Sequence, residues 1–230
     1  VSIGCYESLN CGIGSNDNKK NVLENLKIVS KNIGCKNKSL ITLNQTHSNN
    51  AICFKKKSSI KNKLSGDAIV TSIKNTGIGI LTADCAPLLF YDPIRKIIGC
   101  AHAGWKGALN GIISSTVKKF NDLNSNNNDL IAVVGPCIKK NNYQVENDLL
   151  ERFLENDEKN EIFFQKIQKN KYFFDLRGFI NKELHDLNIK NIENIKKDTF
   201  SDESYFFSYR RSQANKELDY GRCISVILMT

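Results

Sequence analysis

Leu88-Leu89-Phe90-Tyr91-Asp92-Pro93, followed after a short basic turn by Ile97-Ile98-Gly99-Cys100-Ala101, is the stretch that decides the fold. Two apolar runs rich in β-formers flank an Asp-Pro turn, which predicts two strands folded back on each other. Directly beyond stands His102-Ala103-Gly104-Trp105-Lys106-Gly107, and then Leu109, Ile112, Ile113 and Val117 recur at helical spacing, which predicts a helix over 105–120. On the N-terminal side, residues 40–43, 51–54, 68–71 and 78–82 read as further strands, and Val22, Leu26, Val29 and Ile33 form the stripe of a helix over 17–33 that Gly34 stops. On the C-terminal side, 121–129 reads as a polar loop and 130–134 as a buried strand. Two helices follow around 149–153 and along Leu176, Ile180, Leu184 and Leu187, and strands are expected at 205–209 and 223–229. No repeat and no Pro/Gly/Ser linker divides the chain. The expectation is one α+β domain over residues 1–230, with mixed β-sheets flanked by helices.

The 230 residues, 40% hydrophobic and 25% charged, match ordinary globular usage and exclude wholesale disorder. No apolar run approaches the ~18 residues of a membrane span. The chain opens on Val1 with no basic-then-apolar leader, so a secretory route is not expected. The net charge of +9 comes mostly from scattered Lys. The runs Lys55-Lys56-Lys57, Lys118-Lys119, Lys139-Lys140 and Lys196-Lys197 read as solvated faces rather than a nucleic-acid stripe. Arg is rarer, and three of the six, Arg210, Arg211 and Arg222, crowd the C-terminal end. Such a cluster in a lysine-rich chain suggests planar, bidentate anion recognition, with ion pairs at the sheet edge as the competing reading. Eight Cys occur without any C-x-x-C pair, which fits reduced thiols in a cytoplasmic protein.

Three His occur, at 47, 102 and 185. His47 and His102 stand at predicted strand ends, and so does Cys85 in Thr82-Ala83-Asp84-Cys85-Ala86-Pro87. Three such groups can converge at one sheet edge, where two imidazoles and a thiolate suit zinc and leave a fourth position open. Their spacing matches no local zinc finger, so a structural role, the two His capping loops and Cys85 filling core, stands beside the metal reading. His185, beside Leu184, reads as a surface residue.

Gly66-Asp67-Ala68-Ile69-Val70-Thr71, then Gly79-Ile80-Leu81-Thr82-Ala83-Asp84-Cys85-Ala86-Pro87, then Ala101-His102-Ala103-Gly104-Trp105-Lys106-Gly107 resemble the YfiH or laccase-domain family. Gly135-Pro136-Cys137-Ile138, Tyr143-Gln144-Val145, Phe174-Asp175-Leu176, Phe206-Phe207-Ser208-Tyr209-Arg210-Arg211 and Tyr220-Gly221-Arg222 continue the likeness in order along nearly the whole chain. The resemblance implies a single-domain cytoplasmic enzyme of a fold grouped with cysteine hydrolases, holding one zinc on His47, Cys85 and His102. It implies phosphorolysis of adenosine, inosine, guanosine and methylthioadenosine, with adenosine deamination as a second activity. It also carries an older label, polyphenol oxidase or laccase, which implies copper. Two features depart from the family. The opening Val1-Ser2-Ile3-Gly4 lacks the strand that usually precedes it, and Asp198-Thr199 replaces a Cys-Thr found in many relatives.

The residues favour one of these chemistries. A multicopper site needs far more imidazoles than three. A thiol hydrolase could use Cys85 with His102 but leaves His47 idle. Zinc uses all three. Phosphorolysis also needs anion binding: Gly104 and Gly107 flank a helix start suited to phosphate, with Lys106 where the family usually carries Arg, and Arg210, Arg211 and Arg222 are further candidates. If 205–209 is a strand, Arg210 and Arg211 face opposite ways, and Arg211 is the favoured one. Asp84 is a candidate to orient a ligand, bind ribose or move a proton, Gln45 to meet a purine edge, and Trp105 to stack on a base or pack in the core. The expectation is therefore a zinc-dependent purine nucleoside phosphorylase. It has Cys85, Asp84 and His102 as catalytic residues, purine nucleosides and phosphate as partners, and no nucleic acid or membrane. It acts as a monomer. A copper- or thiol-dependent polyphenol oxidoreductase is the alternative, and a basic nucleic-acid-binding domain ranks behind both.

Overall fold

The computed structural model describes residues 1–35, 40–56 and 64–230, so Lys57 of the first lysine run lies outside the described residues. In chain order the elements are α1 (Lys19–Asn32), β1 (Leu40–Ile41), β2 (Ala51–Phe54), β3 (Ala68–Thr71), β4 (Thr76–Thr82), β5 (Ala86–Asp92), β6 (Ile97–Ala103), α2 (Trp105–Leu109), α3 (Ile112–Asn121) and β7 (Ile131–Val134). Then come β8 (Gln144–Glu146), α4 (Asn147–Asn156), β9 (Phe164–Gln168), β10 (Lys171–Phe174), α5 (Leu176–Asp186), β11 (Asn191–Asn194), α6 (Tyr209–Ala214) and β12 (Cys223–Met229).

The β5–β6 hairpin forms as its sequence demands. The Asp92 carboxylate accepts from the backbone N–H of Ile94 and of Arg95, each at 2.8 Å, which closes the turn. The hairpin sits inside a six-stranded sheet of order β11-β7-β5-β6-β3-β2, in which the outer pairs β11–β7 and β3–β2 are parallel and the inner pairs antiparallel. A second sheet, β1-β4-β12, lies against one face, and a third, β8-β10-β9, adds Val145, Phe164 and Phe174 to the helix-side core. The alternation of β6 explains the layering. Ile97, Ala101 and Ala103 join the helix-side core with Phe90, Phe120, Val117 and Ile180, whereas Ile98 and Cys100 join a second core with Ile78, Ile80 and Met229 of the small sheet. Each fully buried large side chain contributes about 1.5–3 kcal/mol relative to exposure. Gly99 lets α3 approach, since a Cβ there would stand 2.5 Å from the Phe120 ring. The result is one α+β domain with mixed sheets, and among the described residues no helix is long and apolar enough to cross a membrane.

Three expectations are corrected. The helix over 105–120 is two helices, broken at Gly111, whose φ of +86° is left-handed. Four strands, β8 to β11, were not expected; β9 and β11 alternate too weakly, with mostly exposed polar positions. Residues 205–209 are not a strand. The backbone N–H groups of Tyr205 and Phe206 both turn back onto the Asp202 carbonyl, and the Ser208 hydroxyl then caps α6 by accepting from Arg211 N. The aromatic run imitates a strand, but its cap serine begins a helix. Arg210 and Arg211 therefore lie on a helix, and the opposite-face argument for them falls.

Candidate metal centre

β5 and β6 pair so that Pro87 stands opposite His102, and β3 begins one residue after Asp67. The strand ends thus bring Cys85, His102 and the β1–β2 loop carrying His47 to one sheet edge. The ligand atoms of His47, Cys85 and His102 all lie within 4.8 Å of one another, with Cys85 Sγ 3.9 Å from His47 Nε2. The two imidazole rings meet edge to face at 4.6 Å. His102 is buried, Cys85 half-buried and His47 exposed. Gly104 is required here: a Cβ would stand 2.7 Å from Cys85 Sγ and 3.3 Å from the His47 ring. Two imidazoles and a thiol around an opening that even a methyl group would fill are a donor set for a soft or borderline cation, so these three residues could hold a metal ion.

Asp67, wholly buried, organises the two histidines. Its carboxylate accepts from His102 Nδ1 at 2.8 Å, from the backbone N–H groups of Thr46, His47 and Ser48, and from the Ser48 hydroxyl. It therefore fixes the His102 tautomer, leaves Nε2 free for a ligand, and holds His47 in its left-handed backbone (φ +56°). Burial alone would push its carboxyl up, but the His102 and Ser48 hydrogen bonds hold it well below the usual carboxylate range. Burial likewise pushes the Cys85 thiol up. The His102 and His47 imidazoles outweigh that and bring it down to about 6, while the Cys85 and Asp67 charges raise His102 to about 9 against its burial. The lowered thiol favours the thiolate, which is the form that binds metal. Asp67 was read only as part of a motif. The signal for it was a carboxylate at the mouth of a mostly apolar buried strand, which needs donors to survive burial.

Asp84 has a left-handed backbone (φ +82°) and a buried carboxylate. That carboxylate accepts from Thr199 Oγ1 at 2.7 Å, Ser208 Oγ at 2.9 Å and Arg210 N at 2.6 Å, while its carbonyl accepts from Ile138 N. Thr199, which directly follows the departure from the family at Asp198, is thus one of the three donors.

A cavity of about 320 Å³ opens over the three ligands; Gln45, Tyr220 and Arg222 also line it. Gln45 keeps its own amide occupied, donating to the Leu81 carbonyl and accepting from Leu81 N. Arg222 stacks on Tyr220, its guanidinium 4.1 Å from the ring centroid. The other candidates do not line the cavity. Lys106 is exposed on α2, a helix of only five residues. Arg210 donates to the Gln144 carbonyl and stands 5.4 Å over the Tyr143 ring. Arg211 donates to the carbonyls of Thr199, Phe200 and Phe206. Trp105 packs against the helix-side core, and His185 is exposed at the end of α5.

The model of a family described as multi-copper polyphenol oxidoreductase laccase matches residues 1–230. A Rickettsia conorii protein named purine nucleoside phosphorylase is 36% identical over 213 residues, covering 92% of this chain and 86% of its own. One of the same name from Haemophilus influenzae is 34% identical over 229 residues, covering 99% and 89%. The crystal structure of a Bacillus licheniformis hypothetical protein YfiH superposes with a TM-score of 0.91 at 28% identity, covering 100% of this chain and 88% of that one.

Proposed function

The chain belongs to the family described as multi-copper polyphenol oxidoreductase laccase, and within it we propose a zinc-dependent purine nucleoside phosphorylase with adenosine deamination as a second activity. The observation that carries this reading is a single cavity with a His-Cys-His donor set and one arginine in its wall. The names of the two relatives support the activity. The family description names copper, but a multicopper centre needs several imidazole sets, and the chain has three His in all.

His47, Cys85 and His102 would hold the zinc. When bound, it would supply Lewis-acid charge beside the reacting nucleoside. Asp67 keeps both imidazoles aimed at the cavity, and Gly104 keeps the space open. Arg222 presents its guanidinium fork to phosphate, Tyr220 offers an aromatic face to the base, and Gln45 fixes the wall through Leu81. In phosphorolysis a phosphate oxygen bonds to C1′ of the ribose. The C1′–N9 electron pair leaves with the base, which takes up a proton from solvent, and ribose 1-phosphate remains. Asp84 acts on Cys85 through the backbone. Purified protein incubated with adenosine tests the reading: adenine release that requires phosphate is expected, with some inosine formed without it. Neither product would overturn it, and oxidation of a phenol instead would establish the copper reading.

A further inference from the structure

Arg222 is held at its backbone by residues far away in sequence and at its head by Tyr220 and Asp219, of which Asp219 is itself fixed by distant residues. At the backbone, the wholly buried Asn10 accepts through Oδ1 from Arg222 N and from Gly12 N, each at 2.9 Å, and Cys11 N donates to the Arg222 carbonyl. Asn10 is itself fixed: its amide donates to Ser15 Oγ and Asp17 Oδ2, and its carbonyl accepts from Asn25. At the head, Arg222 Nη1 donates to the Tyr220 carbonyl and faces Asp219 at 3.5 Å. Asp219 is in turn held by the Tyr6 hydroxyl at 2.8 Å and by Asn16 N at 2.7 Å. Between the two ends, Gly12 lies against the middle of the side chain, where a Cβ would stand 2.4 Å from Arg222 Cδ. Among the described residues, all of these head contacts use Nη1, so neither of them occupies Nε or Nη2.

We infer that Asn10, Gly12, Asp219 and Tyr6 are positioning residues that preset Arg222 as the anion-binding arm of the cavity, so that the N-terminal segment sets the affinity for phosphate. The inference rests on the phosphorylase reading. An arginine side chain loses rotamer freedom when it is fixed. A cradle built during folding meets that cost before phosphate arrives, which is how a preset group gains affinity without a new contact. Phosphate, with its paired oxygens, matches a guanidinium edge of Nε and Nη2.

The test measures the phosphate KM and kcat for adenosine phosphorolysis, inorganic phosphate binding by calorimetry, and thermal stability, in the wild type, Tyr6→Phe, Gly12→Ala and Arg222→Lys. Tyr6→Phe removes one hydroxyl from a half-buried ring and leaves the fold intact. It should raise the phosphate KM and the phosphate Kd together by about three- to tenfold, with kcat at saturating phosphate within twofold. Gly12→Ala, which pushes the arm aside, should raise both more than Tyr6→Phe does. Arg222→Lys keeps the charge, loses the fork and should raise them most. An unchanged phosphate KM and Kd in Tyr6→Phe and Gly12→Ala, with both raised in Arg222→Lys, overturns the cradle and leaves the phosphorylase reading standing. If Arg222→Lys also leaves them unchanged, phosphate binds elsewhere and both fall. A drop in kcat alone, in parallel with lost stability, overturns the inference in favour of a purely structural contact.

Discussion

Two buried carboxylates flank the candidate metal centre and hold it in different ways. Asp67 takes its donors from the ligands themselves: the His102 ring, His47 N, and the residues on either side of His47. Every donor lies within 35 positions. Asp84 takes its donors from residues 115 to 126 positions later, Thr199, Ser208 and Arg210. One carboxylate therefore builds the histidine side of the site out of neighbouring strand ends. The other fastens the Cys85 turn to the C-terminal segment, so the placement of Cys85 depends in part on distant residues. The difference predicts that Asp67 governs metal affinity, whereas Asp84 governs the placement of one ligand and the docking of α6.

The largest effect should come from the ligands. Cys85→Ala and His102→Ala should each lower phosphorolysis by at least about 100-fold and leave less than stoichiometric zinc on elemental analysis, with cooperative unfolding retained. A Cys85→Ala protein with undiminished turnover breaks the account at its centre. Asp67→Asn should come next. It keeps the shape but loses the charge that orients His102 and the donors at His47, so zinc affinity should fall about 10- to 100-fold in competition with a chelator. If Asp84→Asn weakens zinc as much as Asp67→Asn does, the proposed division of labour is wrong.

A thiol comparison sharpens the same contrast. Burial pushes Cys11 and Cys137 up to about 12, whereas the imidazoles bring Cys85 down to about 6 despite burial. A depressed thiol pKa means thiolate persists at neutral pH. After chelation, iodoacetamide at pH 7 should modify Cys85 well before Cys11 and Cys137, and added zinc should slow that reaction. The smallest effects belong to the C-terminal fastening. Thr199→Val removes one hydrogen bond to a carboxylate and should cost about 1–2 kcal/mol of stability by denaturant titration. Arg211→Ala strips a donor from three carbonyls and should lower Tm by a few degrees with the phosphate KM unchanged. A raised phosphate KM in Arg211→Ala would return that residue to the cavity.

What was legible in the sequence follows the same division. The β5–β6 hairpin, β3, β4 and the two histidines follow from short-range signals: alternation, an Asp-Pro turn, and glycine where the chain must come close. Cys85 and His102 could be named because each stands at the end of an apolar strand that locates itself, whereas the strand expected over 40–43 stops at Ile41 and leaves His47 in the β1–β2 loop. Residues 205–209 were misread because composition does not reveal the turn onto Asp202 or the docking of Ser208 on Asp84. Their aromatic run has strand composition, yet Asp202 turns it and Ser208 starts a helix that docks on Asp84. Arg211 drew attention as a cation in an arginine cluster, but its carbonyl partners could not be foreseen from neighbouring residues. Arg222 was one candidate among several; its place in the cavity depends on Asn10 and Gly12 at the other end of the chain.

The most direct test titrates zinc into chelator-treated protein while following phosphate-dependent adenine release from adenosine. The account predicts activity that is lost on chelation, returns in proportion to added zinc and saturates at one zinc per chain. Full phosphorolysis in metal-free protein, or activity that returns only with two or more coppers per chain, would contradict it.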